Sequence, residues 1–363
     1  MLNFNDIFVD DTKYGMKIPK EKYLSVGLYP VIDQGKEQIA GYTDESEGVY
    51  CDVPAIIFGD HTRIIKYIDV PFFLGADGTK LLKIKDNTAF NCKYLYYALS
   101  NAKIPNTGYN RHFKWLKELS FNIPSIEKQR EIADLMDIIV NLENLRKKQL
   151  EKLELFVKSR FIEMFGDPVS NPHKFTKVPL SELADIKIGP FGSLLHKEDY
   201  IENGNPVVNP SHIVNGNIVV DSRLTISNEK YEELAAYKLE IGDVVLGRRG
   251  EMGRCAVVQK EGFLCGTGSV IIRTKGEVTS DYIQQIISFP TFKRTIEDMA
   301  VGQTMPNLNV PIVSNFLITK PPVEIQKRYY DFVEQVDKSK LAIQKSLDEL
   351  EILKKSLMQQ YFG

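Results

Sequence analysis

The sequence predicts a mixed α+β protein in which two globular domains alternate with two long helices. Three observations predict it: the chain contains an internal repeat, each half ends in about 40 residues with helical apolar spacing, and short β-rich runs with glycine turns precede each helical segment. Because the two helical segments repeat each other, we expect them to pair as an antiparallel coiled coil with a pseudo-twofold relation between the halves.

The first domain is predicted over residues 1–122. Its β-rich runs include Ala55–Phe58 and Leu81–Ile84, and the stretch "CKYLYYALS" (92–100) has the pattern of a short helix. The domain begins almost at once, with "MLNFNDIF". We therefore expect either that it lacks an edge element or that the true start lies upstream.

Two long helices are predicted over residues 123–166 and 320–363. "LEKLELFVKSRFIEMFG" (150–166) aligns with "LDELEILKKSLMQQYFG" (347–363), and the same offset of 197 residues aligns "IPSIEKQREIADLMDII" (123–139) with "KPPVEIQKRYYDFVEQV" (320–336). Prolines suit the helix starts and Phe-Gly suits the helix ends. The predicted seam residues are Ile132, Leu135, Ile139, Leu142, Leu150, Leu153 and Phe156 in the first helix, and Tyr329, Phe332, Val336, Ile343, Leu347, Leu350 and Leu353 in the second.

The second domain, with its Pro- and Asn-rich linker, is predicted over residues 167–319. Its runs Val244–Leu246 and Val270–Ile272 correspond to the two runs of the first domain, and "SDYIQQIIS" (280–288) corresponds to the short helix. The alignment places Gly247 opposite Gly59 and Gly268 opposite Gly78. The second domain also has a preface, "SNPHKFTKVPLSE", which the first domain lacks.

Composition bounds the function only loosely. A net charge of −2 and a pI near 6.3 neither indicate nor exclude nucleic-acid binding, which depends on where the cations lie. The sequence contains no long apolar run and no secretion leader, so we expect a cytoplasmic protein without membrane contact. The four cysteines form no C-x-x-C pair and the five histidines have no zinc spacing, so we expect buried thiols and no metal.

Polar loops at corresponding places in both halves suggest a bipartite target, and DNA is one. In "LGRRGEMGR" (246–254), arginines that can pair with a guanine edge stand among glycines that allow close approach to phosphate. A surface or turn role is the commoner one for any single residue, and a scaffold that bridges two proteins fits the architecture equally well. The candidate DNA-binding residues are Gln34, His61, Arg63, Lys80, Tyr109, Asn110, Arg111 and Lys114 in the first half, and Ser193, Lys197, Asn209, Ser211, His212, Arg248, Arg249, Arg254, Gln303, Asn307 and Asn309 in the second.

Motifs of DNA-acting enzymes are missing from the sequence. It contains no Asn/Asp-Pro-Pro-aromatic tetrapeptide, no G-x-x-x-x-G-K-[ST] loop and no H-E-x-x-H pair. We therefore expect a protein without catalytic residues of its own.

Over essentially its whole length the chain resembles the specificity subunits of type I restriction–modification enzymes. The resemblance is carried by the duplicated helix, by "PFGSLLHKEDY" (190–200) and by "GDVVLGRRGEMGR" (242–254). It implies two target-recognition domains, each reading one half of a split DNA site, and a coiled coil that sets the spacer. It also implies docking of two methyltransferase subunits, which carry S-adenosylmethionine and methylate adenine, and of two motor-nuclease subunits where restriction accompanies methylation. The alternative is a scaffold that joins methyltransferase subunits without strong DNA readout.

Overall fold

The structure is a computed structural model that describes residues 1–75, 77–108, 110–191, 194–300 and 307–363. It divides into two compact units. Unit 1 comprises Met1–Leu150 and Ala342–Gly363, and unit 2 comprises Glu151–Leu341. Each unit therefore contains one globular segment and a portion of both long helices, whereas the sequence analysis placed whole helices between the domains.

The elements of the first globular segment are short. They are β1 (Leu2–Asn3), α1 (Phe4–Ile7), β2 (Phe8–Asp10), β3 (Tyr29–Ile32), β4 (Gly41–Thr43), β5 (Ala55–Gly59), β6 (Ile65–Ile68), β7 (Phe73–Leu74), β8 (Thr79–Ile84), α2 (Cys92–Asn101), α3 (Phe113–Lys117) and β9 (Ser120–Phe121). The long helix α4 (Ile126–Phe165) follows.

The second globular segment begins after α4. Its elements are β10 (Lys177–Pro179), α5 (Leu180–Leu183), β11 (Ala184–Ile188), β12 (Tyr200–Ile201), β13 (Asn205–Val208), β14 (Ile213–Val214), β15 (Asn217–Ile218), β16 (Thr225–Ile226), α6 (Asn228–Glu233), β17 (Val244–Gly247), β18 (Cys255–Val257), β19 (Leu264–Cys265), β20 (Ser269–Thr274), α7 (Ser280–Ser288), α8 (Pro290–Met299), α9 (Val310–Ser314) and β21 (Leu317–Thr319). The second long helix, α10 (Val323–Phe362), ends the chain. No helix among the described residues combines the length and the apolar composition that a membrane span needs.

Sheet pairing confirms the predicted internal repeat. Unit 1 has an antiparallel sheet of order β2-β8-β5-β6 and unit 2 has one of order β11-β20-β17-β18. In the second sheet of each unit one pair of strands is parallel, β3 with β7 and β13 with β19. The predicted glycine correspondence also holds, because Gly59 pairs with Thr79 and Gly247 pairs with Ser269.

The main sheet of each unit separates two apolar cores by the two-residue alternation of β-strands. In β5, Ile56 and Phe58 face the larger core while Ala55 and Ile57 face a smaller one. The strand β17 repeats this pattern, with Val244 and Leu246 on the side of α7. Strands buried on both faces read as continuous apolar runs, which explains why the sequence located them correctly.

An edge strand is present in both globular segments. In unit 1, β1 pairs antiparallel with β9, and in unit 2, β10 pairs antiparallel with β21. The expectation that the first domain lacks this element was therefore wrong. The strand is two residues long in unit 1 and three in unit 2, and so short a strand has no alternating pattern from which it could be recognised.

A buried glutamine fixes the start of each long helix to its own globular segment. Gln129 Oε1 accepts a hydrogen bond from Asn91 N at 2.9 Å, and Gln326 Oε1 accepts one from Thr279 N at 2.9 Å. Asn91 and Thr279 are the N-caps of α2 and α7. The two glutamines are aligned in the repeat, so both helices start by the same device.

The Phe-Gly ends of the helices also have equivalent contacts. Phe165, at the end of α4, packs on Tyr282 of unit 2 with ring centroids 5.1 Å apart. Phe362, at the end of α10, packs on Tyr94 of unit 1, also at 5.1 Å. Gly166 has φ +73°, the left-handed conformation in which glycine commonly ends a helix.

The helices pair antiparallel within each unit. In unit 2, Phe156 packs against Phe332, and Phe161, further along α4, packs against the earlier Tyr329. In unit 1, Glu143 of α4 forms an ion pair with Lys354 of α10.

The predicted seam residues are only partly internal. Those that are buried or half-buried are Ile132, Leu135, Ile139, Leu150, Leu153, Tyr329, Phe332, Val336, Ile343, Leu347 and Leu350. By contrast, Leu142, Phe156 and Leu353 are exposed. A two-helix pair buries only a narrow stripe, and Leu142 and Leu353 lie at its margin or outside it, so the seam assignment is corrected for these two. Phe156 is exposed at the margin but still packs on Phe332 of the other helix.

Candidate nucleic-acid interface

In unit 1, backbone hydrogen bonds hold the loop after β5 against the turn before β8 and against the segment that precedes α3. We call the loop after β5 and the segment before α3 the loop pair. Asp60 N donates to Gly78 O at 2.7 Å, and His112 N donates to Asp60 O at 2.8 Å. The Asp60 carboxylate is buried and accepts a hydrogen bond from Phe113 N at 2.7 Å. Asp60 and His112 are therefore anchors of the loop.

Two predicted contact residues of unit 1, His61 and Asn110, lie on this loop pair, and a third, Gln34, contacts it from the segment after β3. His61 N donates to Gln34 Oε1 at 3.1 Å, and His61 Nδ1 lies 3.2 Å from Asn110 O. Gln34 Nε2 also donates to Asp77 O at 2.8 Å. Gln34 is consequently engaged in joining loops, while His61 and Asn110 form part of the polar surface.

The other predicted residues of unit 1 differ in availability. Arg63 has φ 61° and its Nη1 donates to Ile104 O at 3.3 Å, so this guanidinium has a structural partner. Lys80 pairs with Asp10 at 3.2 Å. Arg111 and Lys114 are exposed, and Lys114 Nζ lies 4.1 Å from the centroid of a Trp115 ring. Tyr109 lies outside the described residues.

Unit 2 builds the corresponding loop pair with the same backbone bonds. Arg248 N donates to Gly268 O at 2.9 Å, and Leu308 N donates to Arg248 O at 2.9 Å. Arg248 therefore occupies the position that Asp60 occupies in unit 1.

The side chain at this position differs sharply between the two units. Arg248 is partly buried, and its Nε donates to Asn307 Oδ1 at 3.0 Å. Burial lowers the pKa of the Arg248 guanidinium, and the neighbouring charge of Arg249 lowers it further. Arg249 itself is exposed.

A second polar segment of unit 2 lies beside this loop. Arg254 Nη1 donates to Pro210 O at 3.3 Å and Nη2 donates to Glu251 Oε2 at 2.6 Å. Ser211 is exposed, whereas Asn209 and His212 bond within their own turn, with His212 Nδ1 lying 2.8 Å from Val207 O.

The remaining predicted residues do not join this cluster by any described contact. Asn309 accepts a hydrogen bond from Ile312 N at 2.9 Å and so caps α9. Lys197 is exposed in a turn before β12. Ser193 and Gln303 lie outside the described residues.

Several lysines near the candidate interface are not among the residues that the sequence predicted. In unit 1, Lys117 Nζ lies 4.7 Å from the Phe113 ring centroid. In unit 2, Lys158 and Lys293 line a cavity of about 530 Å³ that also reaches Arg254. Lysines on helices carry no local signal for DNA contact. Lys293 is half-buried, and its Nζ lies 3.5 Å from Glu251 Oε1. Among the described residues, no group of three or more His, Cys, Asp or Glu side chains is placed to hold a metal ion.

Comparison with known proteins places the chain in a family. The family model of the type I restriction modification DNA specificity domain matches residues 3–155 and 172–352. A similar curated protein, the type I restriction enzyme MjaVIII specificity subunit of Methanocaldococcus jannaschii, is 21% identical over 264 residues, which are 68% of this chain. The chain spans 61% of that protein's length.

Solved structures share the fold. The crystal structure of the S subunit of a type I restriction-modification system from M. genitalium has a TM-score of 0.63 and 17% identity, covering 99% of this chain and 95% of that one. A structure from work on complex assembly and conformational transition of the type I R-M system has a TM-score of 0.61 and 17% identity, covering 99% and 96%. The family match, over most of the chain and in both repeats, shows that the chain belongs to the type I restriction–modification DNA specificity family.

Proposed function

We propose that this chain is a non-catalytic DNA-specificity subunit whose two units each read one half of an asymmetric, bipartite site in double-stranded DNA. The observation that carries the proposal is the loop pair of each unit. The same backbone hydrogen bonds present Arg111, beside the buried Asp60, in unit 1 and Arg248 with Asn307 in unit 2. A shared scaffold with different side chains at its tip is what two different half-sites require.

Two methyltransferase subunits are the proposed protein partners, and exposed apolar side chains on the helices support this. Leu155 and Phe156 of unit 2 are 60% and 53% exposed, and Ile352 and Leu353 of unit 1 are 68% and 46% exposed. The two pairs are equivalent at the repeat offset of 197. Exposed apolar patches of this kind mark interaction sites, and an equivalent pair in each unit suits two copies of one partner.

The chemistry belongs, in this proposal, to the partners. S-adenosylmethionine would bind in the methyltransferase subunits, and two motor-nuclease subunits would join where restriction accompanies methylation. The helices would set the spacer between half-sites, since 40 residues of α-helix extend about 60 Å.

The test is to express the chain with its methyltransferase subunit in a host without adenine methylation and to map methyladenine by sequencing. We expect a split motif with two defined halves and a fixed gap. A stable complex without methylation would instead favour a scaffold that joins methyltransferase subunits. Stoichiometric binding of S-adenosylmethionine to the isolated chain in calorimetry would contradict the proposed division of labour.

A further inference from the structure

We propose that Arg248, oriented by Asn307, reads the major-groove edge of a guanine in the half-site that unit 2 recognises. This inference rests on the proposed DNA-specificity function and assigns one base class to one side chain. It starts from the donors of the guanidinium group. Arginine has five N–H donors in a rigid planar fork, and Asn307 Oδ1 occupies the one on Nε.

The remaining donors match a particular acceptor pattern. With Nε held by Asn307, the Nη1 and Nη2 groups of Arg248 form a side-by-side pair of donors. Guanine presents two adjacent acceptors, N7 and O6, in the major groove, whereas adenine presents an acceptor beside a donor amine. The fork of Arg248 therefore complements guanine and conflicts with adenine.

The charge environment separates Arg248 from structural arginines of the same unit. Arg273 is bound by Asp243 through Nε and Nη2, both at 2.8 Å, and Arg254 is bound by Glu251. Over the part of the chain that the structure describes, no carboxylate lies within 4.0 Å of the Arg248 guanidinium. A partly desolvated cation without an acid partner is suited to gain strong hydrogen bonds from an incoming acceptor.

The internal repeat supplies a comparison within one molecule. At the equivalent backbone position, Asp60 of unit 1 is 3% exposed and bonds Phe113 N. Because the backbone bonds are the same in both units, the loop does not need an arginine to form. Arg248 is thus available for recognition. Because Asn307 fixes the orientation of its guanidinium group, a base edge is the favoured target, since a phosphate contact depends less on orientation.

The experiment compares methylation motifs of the full complex carrying wild-type chain, Arg248→Lys, Asn307→Ala or the control Arg294→Lys, which changes an exposed arginine of unit 2 outside the predicted contact residues. Lysine keeps the charge of Arg248 but loses the fork. We expect the wild-type motif to contain a G·C pair in the half-site that unit 2 reads. With R248K, methylation of that motif should fall about 5- to 150-fold, and specificity should relax at that one position.

Three further readouts separate the possible outcomes. Positions of the half-site that unit 1 reads should stay unchanged in R248K, which reports that the complex is folded. N307A should relax the same position as R248K, while R294K should not. The inference would be overturned by a unit 2 half-site without any G·C pair or by an unchanged motif in R248K. It would also be overturned by a uniform loss of methylation in which the specificity at every position is retained. The uniform loss would indicate a phosphate contact. A wild-type complex without a split motif would overturn the proposed function itself.

Discussion

Replacing Gln326 with leucine should destabilise unit 2, because this side chain joins two backbone groups inside the protein. Gln326 is 0% exposed; its Oε1 accepts from Thr279 N at 2.9 Å and its Nε2 donates to Pro321 O at 2.9 Å. Leucine has a similar volume, so the cavity term is small and the main effect is the loss of both hydrogen bonds.

The magnitude follows from the two groups left behind. A buried donor or acceptor without a partner costs about 1–3 kcal/mol, so the two together cost roughly 2–6 kcal/mol. The apolar side chain regains part of this by its own burial, and we expect a net loss of about 2–4 kcal/mol in the free energy of unfolding. Since Thr279 caps α7, the amides at the start of that helix should lose protection first.

The assay is urea denaturation of the full chain combined with amide hydrogen exchange. Gln129→Leu is the counterpart in unit 1, where Gln129 Nε2 also donates to Ala89 O at 3.0 Å and to Pro124 O at 2.9 Å. It should lower the stability of unit 1 by at least as much. Gln335→Leu, at an exposed position of α10, is the matched control and should change stability by less than about 0.5 kcal/mol. A Q326L variant as stable as this control would refute the reasoning, as would equal loss of protection in α2 and α7.

Other predictions concern the helices. Lys354→Met should lower the stability of unit 1 by about 2–3 kcal/mol in urea denaturation. The loss is below the usual cost of breaking a buried ion pair because Lys354 is partly exposed. Adding Glu143→Leu should restore most of the lost stability. An unrestored double variant would contradict the role of the pair. Leu155→Asp or Ile352→Asp should each reduce the number of methyltransferase subunits per complex from two to one, measured by light scattering. Ile241→Asp, at another exposed position, is the control. Two retained methyltransferase subunits would argue against docking at Leu155 and Ile352. Four residues inserted after Gln149 should change the permitted spacer in the methylation motif, and an unchanged spacer would argue against the helices as its determinant.

The sequence predicted the fold well because its strongest signals are periodic. Buried strands such as Ala55–Phe58 are continuous apolar runs, and the long helices repeat at one offset over their whole length. The side of each helix was harder to assign, since Leu142 and Leu353 have seam-like spacing but are exposed. A heptad pattern identifies apolar residues without stating whether the partner is the neighbouring helix or another protein.

The DNA contacts stay a prediction, and the structure distinguishes the predicted residues by the partners that each side chain has. In the loop after β17, which the sequence singled out by its arginines and glycines, Arg254 binds Glu251, whereas Arg248 and Arg249 have no carboxylate within ion-pair distance among the described residues. Partnerships of this kind depend on which loop lies opposite, and spacing along the chain does not contain that information. Asn309 shows the same limit, because an N-cap and a base contact require the same amide side chain.

Under the proposed function, the loop pair would let one scaffold serve two different half-sites. Its bonds join backbone groups, Asp60 N with Gly78 O and Arg248 N with Gly268 O, so the loop forms with either an aspartate or an arginine at this position. Asp60 uses its carboxylate to hold Phe113 N, while Arg248 leaves two donor groups available, and neither choice alters the sheet beneath. Substitution at this position would therefore change the bases that a unit is proposed to recognise without disturbing the helices, whose starts depend on Gln129 and Gln326. The position that differs between the units is thus separate from the glutamines that fix the helix starts. This separation is the physical condition under which base specificity can change while the subunits still assemble.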